Sequence, residues 1–219
     1  MEKQTCAEKK ENPFMKIREL TLTECEEVYE SYMTEDFPEN ERKPFSAIAE
    51  MREKGIYKGY GLFSFAIEEK APESARDEES FLAYWFMAVY EEEKTMLLDY
   101  LAVRKELRGS GYGQKVIRAI RDNMNSGYTL FIESEDPEYA ENTEDKGIRQ
   151  RRMRFYQNCG CHLSEMRTEI VSTSYRVFIL SKERDDEKEW KRRYRALYSD
   201  IMMPKERFVG HVLVDGIMS

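Results

Sequence analysis

Three glycines at every second position, Gly109, Gly111 and Gly113, join an apolar run to an amphipathic one. Without Cβ atoms, such residues let backbone N–H groups converge on one point and let a ligand come close. The residues that follow place Gly113, Ile117, Ile120 and Met124 on one helical face, so the loop opens a helix. The unpaired N–H groups and the dipole of a helix start favour an anion. Arg104, Lys105 and Arg108 add positive charge beside it. The chemistry implied is the binding of a phosphate or pyrophosphate. The bland alternative is a glycine-rich turn between two core elements, which rarely needs three alternating glycines.

Two familiar phosphate loops fit less well. A Walker loop requires Lys and then Ser or Thr after its last glycine, and Gln114 follows Gly113. A dinucleotide fingerprint requires Gly-x-Gly-x-x-Gly directly after a strand, with an acid about twenty residues on. Glu133 stands at a suitable distance, but the third-glycine slot counted from Gly111 is Val116, and several residues separate strand from glycines. A dinucleotide-binding protein therefore stays as a remote alternative.

The elements that must position this loop can be read on either side of it. Met96 to Val103 is a nearly continuous apolar run of strand length, as a strand buried on both faces requires. Tyr128 to Glu133 is a second such run, after Asn125-Ser126-Gly127 stops the helix. Strand, helix and strand in that order make a βαβ unit with two parallel strands. Earlier, residues 14 to 20 read as a first strand, Thr21 or Thr23 as a helix cap, and residues 46 to 54 as a second helix ended by Gly55. Between these helices, Phe37-Pro-Glu-Asn-Glu-Arg-Lys-Pro-Phe45 is a loop stiffened by two prolines. Residues 60 to 67 and 80 to 90 read as strands of an antiparallel meander, linked by a charged segment at 68 to 79 that is expected to be mobile. Residues 145 to 158 read as an arginine-dense helix capped by Gly160, and 162 to 167 with 174 to 181 as a closing hairpin. Residues 184 to 203 form a last helix, with Trp190, Tyr194, Leu197, Tyr198 and Ile201 on one face. That stripe implies core packing, or an oligomer contact such as a homodimer. The tail at 208 to 214 reads as a small extra strand.

Composition bounds the rest. The chain has 219 residues, 41% hydrophobic and 36% charged, with a net charge of −8. The acidic balance argues against nucleic acid, which calls for a basic face, and is compatible with a cationic or amine-bearing substrate. No apolar run has the length of a membrane span, and the first residues carry no apolar leader core, so a cytoplasmic protein with no membrane partner is the expectation. Four cysteines, at positions 6, 25, 159 and 161, give neither a disulfide framework nor a zinc pattern. No metal is expected.

Leu101-Ala-Val103 followed by Arg108-Gly-Ser-Gly111-Tyr-Gly113 resembles the signature of the GNAT superfamily of acyl-CoA transferases. Arg154-Phe-Tyr156-Gln-Asn-Cys-Gly160 is similar to a second motif of that family, in the matching order and spacing. Phe37 to Arg42 resembles the Phe-Pro-x-x-Glu-Arg segment of bacterial members. The resemblance covers about residues 15 to 181. It implies an α+β (mixed α/β) fold with a central mixed, twisted sheet of six to seven strands. Strands four and five would splay apart as a parallel pair, with helices on the flanks and a C-terminal helical extension. The domain organisation implied is a flexible tail at 1–13, an acyltransferase domain at 14–181, and a C-terminal helix and tail at 182–219 packed on it.

The same resemblance implies acetyl-CoA as the acyl donor and an amine, on a small molecule or a protein, as the acceptor. Leu101, Ala102, Val103, Arg108, Gly109, Ser110, Gly111, Tyr112 and Gly113 are its cofactor-binding positions, with Arg149 and Arg152 as candidates for the adenosine phosphates. Backbone N–H at Ala102 or Val103, where the strand is expected to bulge, would polarise the thioester. Tyr156 would protonate the leaving thiolate, since a phenol is neutral at pH 7. Glu133, or else Asp99, would take the proton from the amine, and burial would raise either pKa usefully. Tyr32, Phe37, Glu41 and Arg42 are acceptor-site candidates. Cys161 in place of the usual phenylalanine, Arg149 in place of an asparagine and Arg152 in place of a small residue depart from the pattern. They keep open a catalytically silent module that binds acyl-CoA or a partner.

Overall fold

The strands gather into one mixed sheet because their apolar runs have two faces to bury. The computed structural model describes residues 15–65, 79–170, 172–183, 186–202, 212–214 and 217–218. The strands are β1 (Met15–Glu19), β2 (Tyr57–Phe65), β3 (Glu79–Tyr90), β4 (Thr95–Val103), β5 (Thr129–Glu135), β6 (His162–Ile170), β7 (Thr173–Ser181), β8 (Val212–Val214) and β9 (Ile217–Met218). Their order is β1-β2-β3-β4-β5-β7-β6-β8-β9, with β4 and β5 parallel and the other neighbours antiparallel. The six to seven strands expected are there, and two short ones, the first within the expected tail strand, extend the β6 edge. The N-terminal tail and the charged segment from 68 to 78 lie outside the described residues, as do residues 208–211.

Helices cover both faces. α1 (Leu22–Val28) starts at a capping box: the Glu24 N–H donates to Thr21 Oγ1 at 3.2 Å, and the Thr21 N–H donates to Glu24 Oε2 at 2.8 Å. It runs on through a π-helical turn at Tyr29–Met33 and a short turn at Thr34–Asp36. α2 is Phe45–Glu53 and α3 is Tyr112–Asn123. α4 (Thr143–Asn158) begins two residues before the expected start, because the Asn142 side chain caps it by accepting from the Asp145 N–H. α5 (Glu187–Leu197) begins three residues late for the same reason, with Asp186 as its cap, and passes into a π-helical turn at Tyr198–Met202.

The apolar residues divide accordingly. On one face α1, α2 and α5 pack around Leu97, Tyr100, Phe131, Val177 and Ile179. On the other α3 and α4 pack around Met96, Leu98, Leu130, Ile132 and Phe178. Trp190, Tyr194, Leu197 and Tyr198 of the C-terminal stripe are buried against the first of these faces. Cys161, which stands where the resemblance places a phenylalanine, is buried on the second face, and its thiol is free. Among the described residues no helix is long and apolar enough to cross a membrane.

One irregularity decides where a site can form. β3 and β4 pair Phe86 with Tyr100 and then Met87 with Leu98, so Asp99 is an extra residue in β4. The bulge lies here and not at Ala102 or Val103, which pair in regular register with Tyr84 and Ala83. It breaks the in–out alternation, so Asp99 and Tyr100 both reach partners on the α1/α2/α5 side. The parallel pairing of β4 with β5 runs only from Thr95↔Thr129 to Leu98↔Ile132, ending where the bulge begins. Beyond it β4 stays with β3 while β5 stays with β7 as far as Glu135↔Tyr175, and the two strands part. Phe131, in the parallel stretch, is fully buried and meets Tyr194 edge-on at 5.3 Å. Phe131→Ala is expected to lower stability by about 3–5 kcal/mol in urea denaturation.

Candidate active site

The glycine loop is held in the shape its sequence allows. Gly109 and Gly111 adopt φ values of +82° and +84°, and Gly111 is the N-cap of α3. A Cβ added at either would meet nothing within 4 Å, so glycine is needed there for its backbone, and the space before the loop is open. Gly113 differs. A Cβ there would lie 3.1 Å from the Phe155 ring, so this glycine lets α3 approach α4. The amides of Tyr112, Gly113 and Gln114 are the first of a helix and have no acceptor within it. The Ser110 amide turns back to the Leu107 carbonyl at 3.3 Å. The Arg108 side chain ties the loop down: its Nε donates to the Val103 carbonyl at 3.1 Å, and its guanidinium pairs with Asp36.

A cavity of about 1350 Å³ runs from this loop through the gap between β4 and β5 to the segment before α2. All the sequence candidates except Ser110, Arg149 and Tyr32 line it. Tyr32 packs instead against Phe81 and Tyr84, at 5.3 and 6.4 Å, with Arg104 above its ring. Arg149 is buried at the start of α4, where it pairs with Glu135 at 3.1 Å and Asp145 at 3.0 Å and donates to the Asp136 carbonyl. These partners engage its guanidinium, and it is not among the residues that line the cavity. Arg152 does line the cavity, paired with Glu135 at 2.9 Å.

The two candidate bases have different surroundings. Asp99 is almost fully enclosed. Lys43 Nζ donates to both its oxygens, at 2.8 and 2.7 Å, and the Tyr57 hydroxyl donates to Oδ2. That carboxylate is consumed by an ion pair. Glu133 is half-buried on the same face of the sheet. The Tyr194 and Tyr198 hydroxyls both donate to its Oε1, and among the described residues no ion pair to it is seen. Burial pushes its pKa up to about 6, against the pull of those hydrogen bonds and of Lys43. Glu41, in the segment before α2, is also raised, by burial and by the charge of Glu135.

Tyr156 stands on the other face, among the residues packed with α3 and α4. Its ring lies 5.5 Å from Phe178, and burial pushes its phenol up to about 12. It therefore holds its proton throughout the physiological range. The loop before α2 is pinned by Tyr100, whose hydroxyl accepts from the Lys43 N–H and donates to the Glu41 carbonyl, each at 2.9 Å. Phe37 meets the Tyr100 ring edge-on at 5.0 Å.

Sequence reasoning had not placed Lys43, Tyr57, Tyr100, Tyr194 or Tyr198 here. Lys43 sat inside a charged loop with nothing to single it out. The helical spacing of Tyr194 and Tyr198 was legible, but it indicates a buried face and not the carboxylate that this face meets.

No protein-family model matches the chain, and no curated protein matches it by sequence. Solved structures do match it by shape. One is a GNAT-family protein of Bacteroides thetaiotaomicron assigned as an acetyltransferase, with a TM-score of 0.62 and 16% identity over 86% of this chain and 99% of that one. Another is the ribosomal-protein-S18-alanine N-acetyltransferase of Escherichia coli, at 0.51 and 14% over 79% and 97% respectively. At such identities the likeness is one of fold: the chain has the GNAT fold.

Two measurements probe the charges at the gap. Lys43→Ala removes the ammonium from an enclosed Asp99, and a loss of about 1–3 kcal/mol in urea denaturation is expected. Glu133 is harder to ionise folded than unfolded, so its contribution to stability is complete below about 4.5 and is lost as pH rises through about 6. Relative to wild type, Glu133→Gln should therefore gain up to about 2 kcal/mol between about pH 4 and about pH 7.5.

Proposed function

We propose that this chain is a GNAT-superfamily N-acetyltransferase that moves an acetyl group from acetyl-CoA directly to a primary amine of a small molecule or protein. One observation carries the reading. The gap between β4 and β5 joins an open, glycine-lined helix start on one side to a raised carboxyl, Glu133, on the other, with Tyr156 lining the same cavity. The shared fold supports it.

The residues fit the donor. The unpaired amides of Tyr112, Gly113 and Gln114, at the positive end of α3, suit a pyrophosphate, and the two open glycines leave room for it. Along β4 the main-chain groups that would have bonded β5 are released beyond Leu98. N–H groups between Asp99 and Val103 on that edge are the donors available to polarise a thioester carbonyl.

Glu133 then accepts a proton from the acceptor ammonium, since only the free amine is nucleophilic. The amine forms a C–N bond to the acetyl carbon as the C–S bond breaks. Tyr156 gives its proton to the departing sulfur, the new amide nitrogen loses its second proton to solvent, and the phenol recovers one from solvent as the site resets. Direct transfer is in keeping with Cys161, which is buried in the core with its thiol pushed up to about 12 by burial. Phe37, Glu41 and Arg42 line the acceptor end, and the carboxylates there suit a cationic amine.

Calorimetry with acetyl-CoA tests the donor half. Saturating cofactor should also raise the melting temperature, and a chain that neither takes it up nor is stabilised by it would refute the proposal. Thiol release across a panel of amines tests turnover. With an active amine, kcat/KM should fall as pH drops through about 6. Glu133→Gln should lower kcat by about 10²-fold or more. Tyr156→Phe should lower kcat while leaving the KM for acetyl-CoA near the wild-type value.

A further inference from the structure

The C-terminal helix does more than cover the sheet. α5 lies beyond the segment that carries the acyltransferase motifs, and its buried face brings two phenols to one carboxylate. We infer that Tyr194 and Tyr198 are positioning residues for Glu133, fixing its side chain and leaving Oε2 free for the acceptor amine. The inference rests on the proposed role of Glu133 as the base.

The geometry is specific. Both hydroxyls donate to the same oxygen, Oε1. Two donors on one oxygen set the plane and rotamer of the carboxyl and leave the second oxygen's lone pairs open. The two tyrosines stand one turn apart with their rings 4.9 Å from each other, and Phe131 meets Tyr194 edge-on from β5, two residues before Glu133. Tyr198 opens the π-helical turn and also lines the cavity, so it borders the space the amine would enter. Packing alone would be served by phenylalanine at both positions. A phenol enclosed without a partner is a cost, and here each finds one in Glu133.

The charges around the carboxyl come from every side. Asp99 on β4 opposes its ionisation, and Lys43, ahead of α2, favours it. From β7, Tyr175 senses Glu133 together with Glu41 and Glu135, and Arg152 on α4 offsets Glu135. The two phenols are the groups that hydrogen-bond the ionised form directly, and both stay protonated because burial and the carboxylate hold them well above the usual phenol range.

The test reads Glu133 without depending on turnover. Carboxyl carbons of ¹³C-labelled glutamate are titrated by NMR in the full chain, with Glu133 assigned by the signal lost in Glu133→Gln. Tyr194→Phe and Tyr198→Phe should each move the midpoint upward. The double variant should move it by about one pH unit, a tenfold drop in the ionised fraction at fixed pH. If the chain turns over, the acid limb of kcat/KM should move by the same amount, with the KM for acetyl-CoA unchanged. A double variant whose Glu133 titrates at the wild-type midpoint overturns the inference. If the double variant does not fold, the single variants decide by the same reading. A chain that is inactive with every amine would refute the acetyltransferase reading and still leave the titration to be read.

Discussion

One extra residue in one strand governs the functional geometry. With Asp99 inserted opposite β3, β4 cannot keep both of its neighbours in register. It keeps β3 and gives up β5 after Leu98↔Ile132. Buried main-chain groups are normally paired within a sheet, so the release leaves groups of β4 and β5 open to other partners. The defect makes room between two strands at the centre of the sheet, where the long cavity passes. The same insertion turns Asp99 and Tyr100 to one side, where they engage Lys43, Tyr57 and the loop before α2.

The gap matters because it connects two unlike faces. The α3/α4 face offers a helix start with unpaired amides and a buried phenol that keeps its proton. The α1/α2/α5 face offers carboxylates, one locked to an ammonium and one half-buried and held by two phenols. Neighbouring Asp99 and Glu133 would repel if both were bare. Lys43 neutralises the first, and the second has its pKa raised, which is the division of roles that two close carboxyls need. In the proposed reaction a proton leaves the amine on one face and reaches the sulfur from the other, so neither group has to move across the sheet.

The C-terminal segment shows how a packing element acquires a second task. Trp190 and Leu197 serve the core alone, as apolar side chains of a helix laid on a sheet do. Tyr194 and Tyr198 share their stripe but carry hydroxyls, and these end on the carboxyl of β5. The asymmetry between the two arginines of α4 has a similar origin. Arg149 lies against Asp136, Glu135 and Asp145 and closes a buried network, whereas Arg152, nearly a turn later, faces the cavity.

What the sequence determined by itself was local. Apolar runs and their alternation located the strands, helical periodicity located α3 and α5, and the three glycines located the loop, because each of these signals lies within a few consecutive residues. The resemblance carried by the two motifs then indicated the fold class. The tertiary structure alone decided the rest. A bulge depends on the register between two strands, so nothing in Met96 to Val103 distinguishes Asp99 from Ala102 as the inserted position. Lys43 meets Asp99 across 56 residues and Tyr198 meets Glu133 across 65, and such pairings leave no periodic trace in the chain. Which of two carboxyls stays bare is settled by the partners that folding brings to each, and those come from segments far apart in sequence.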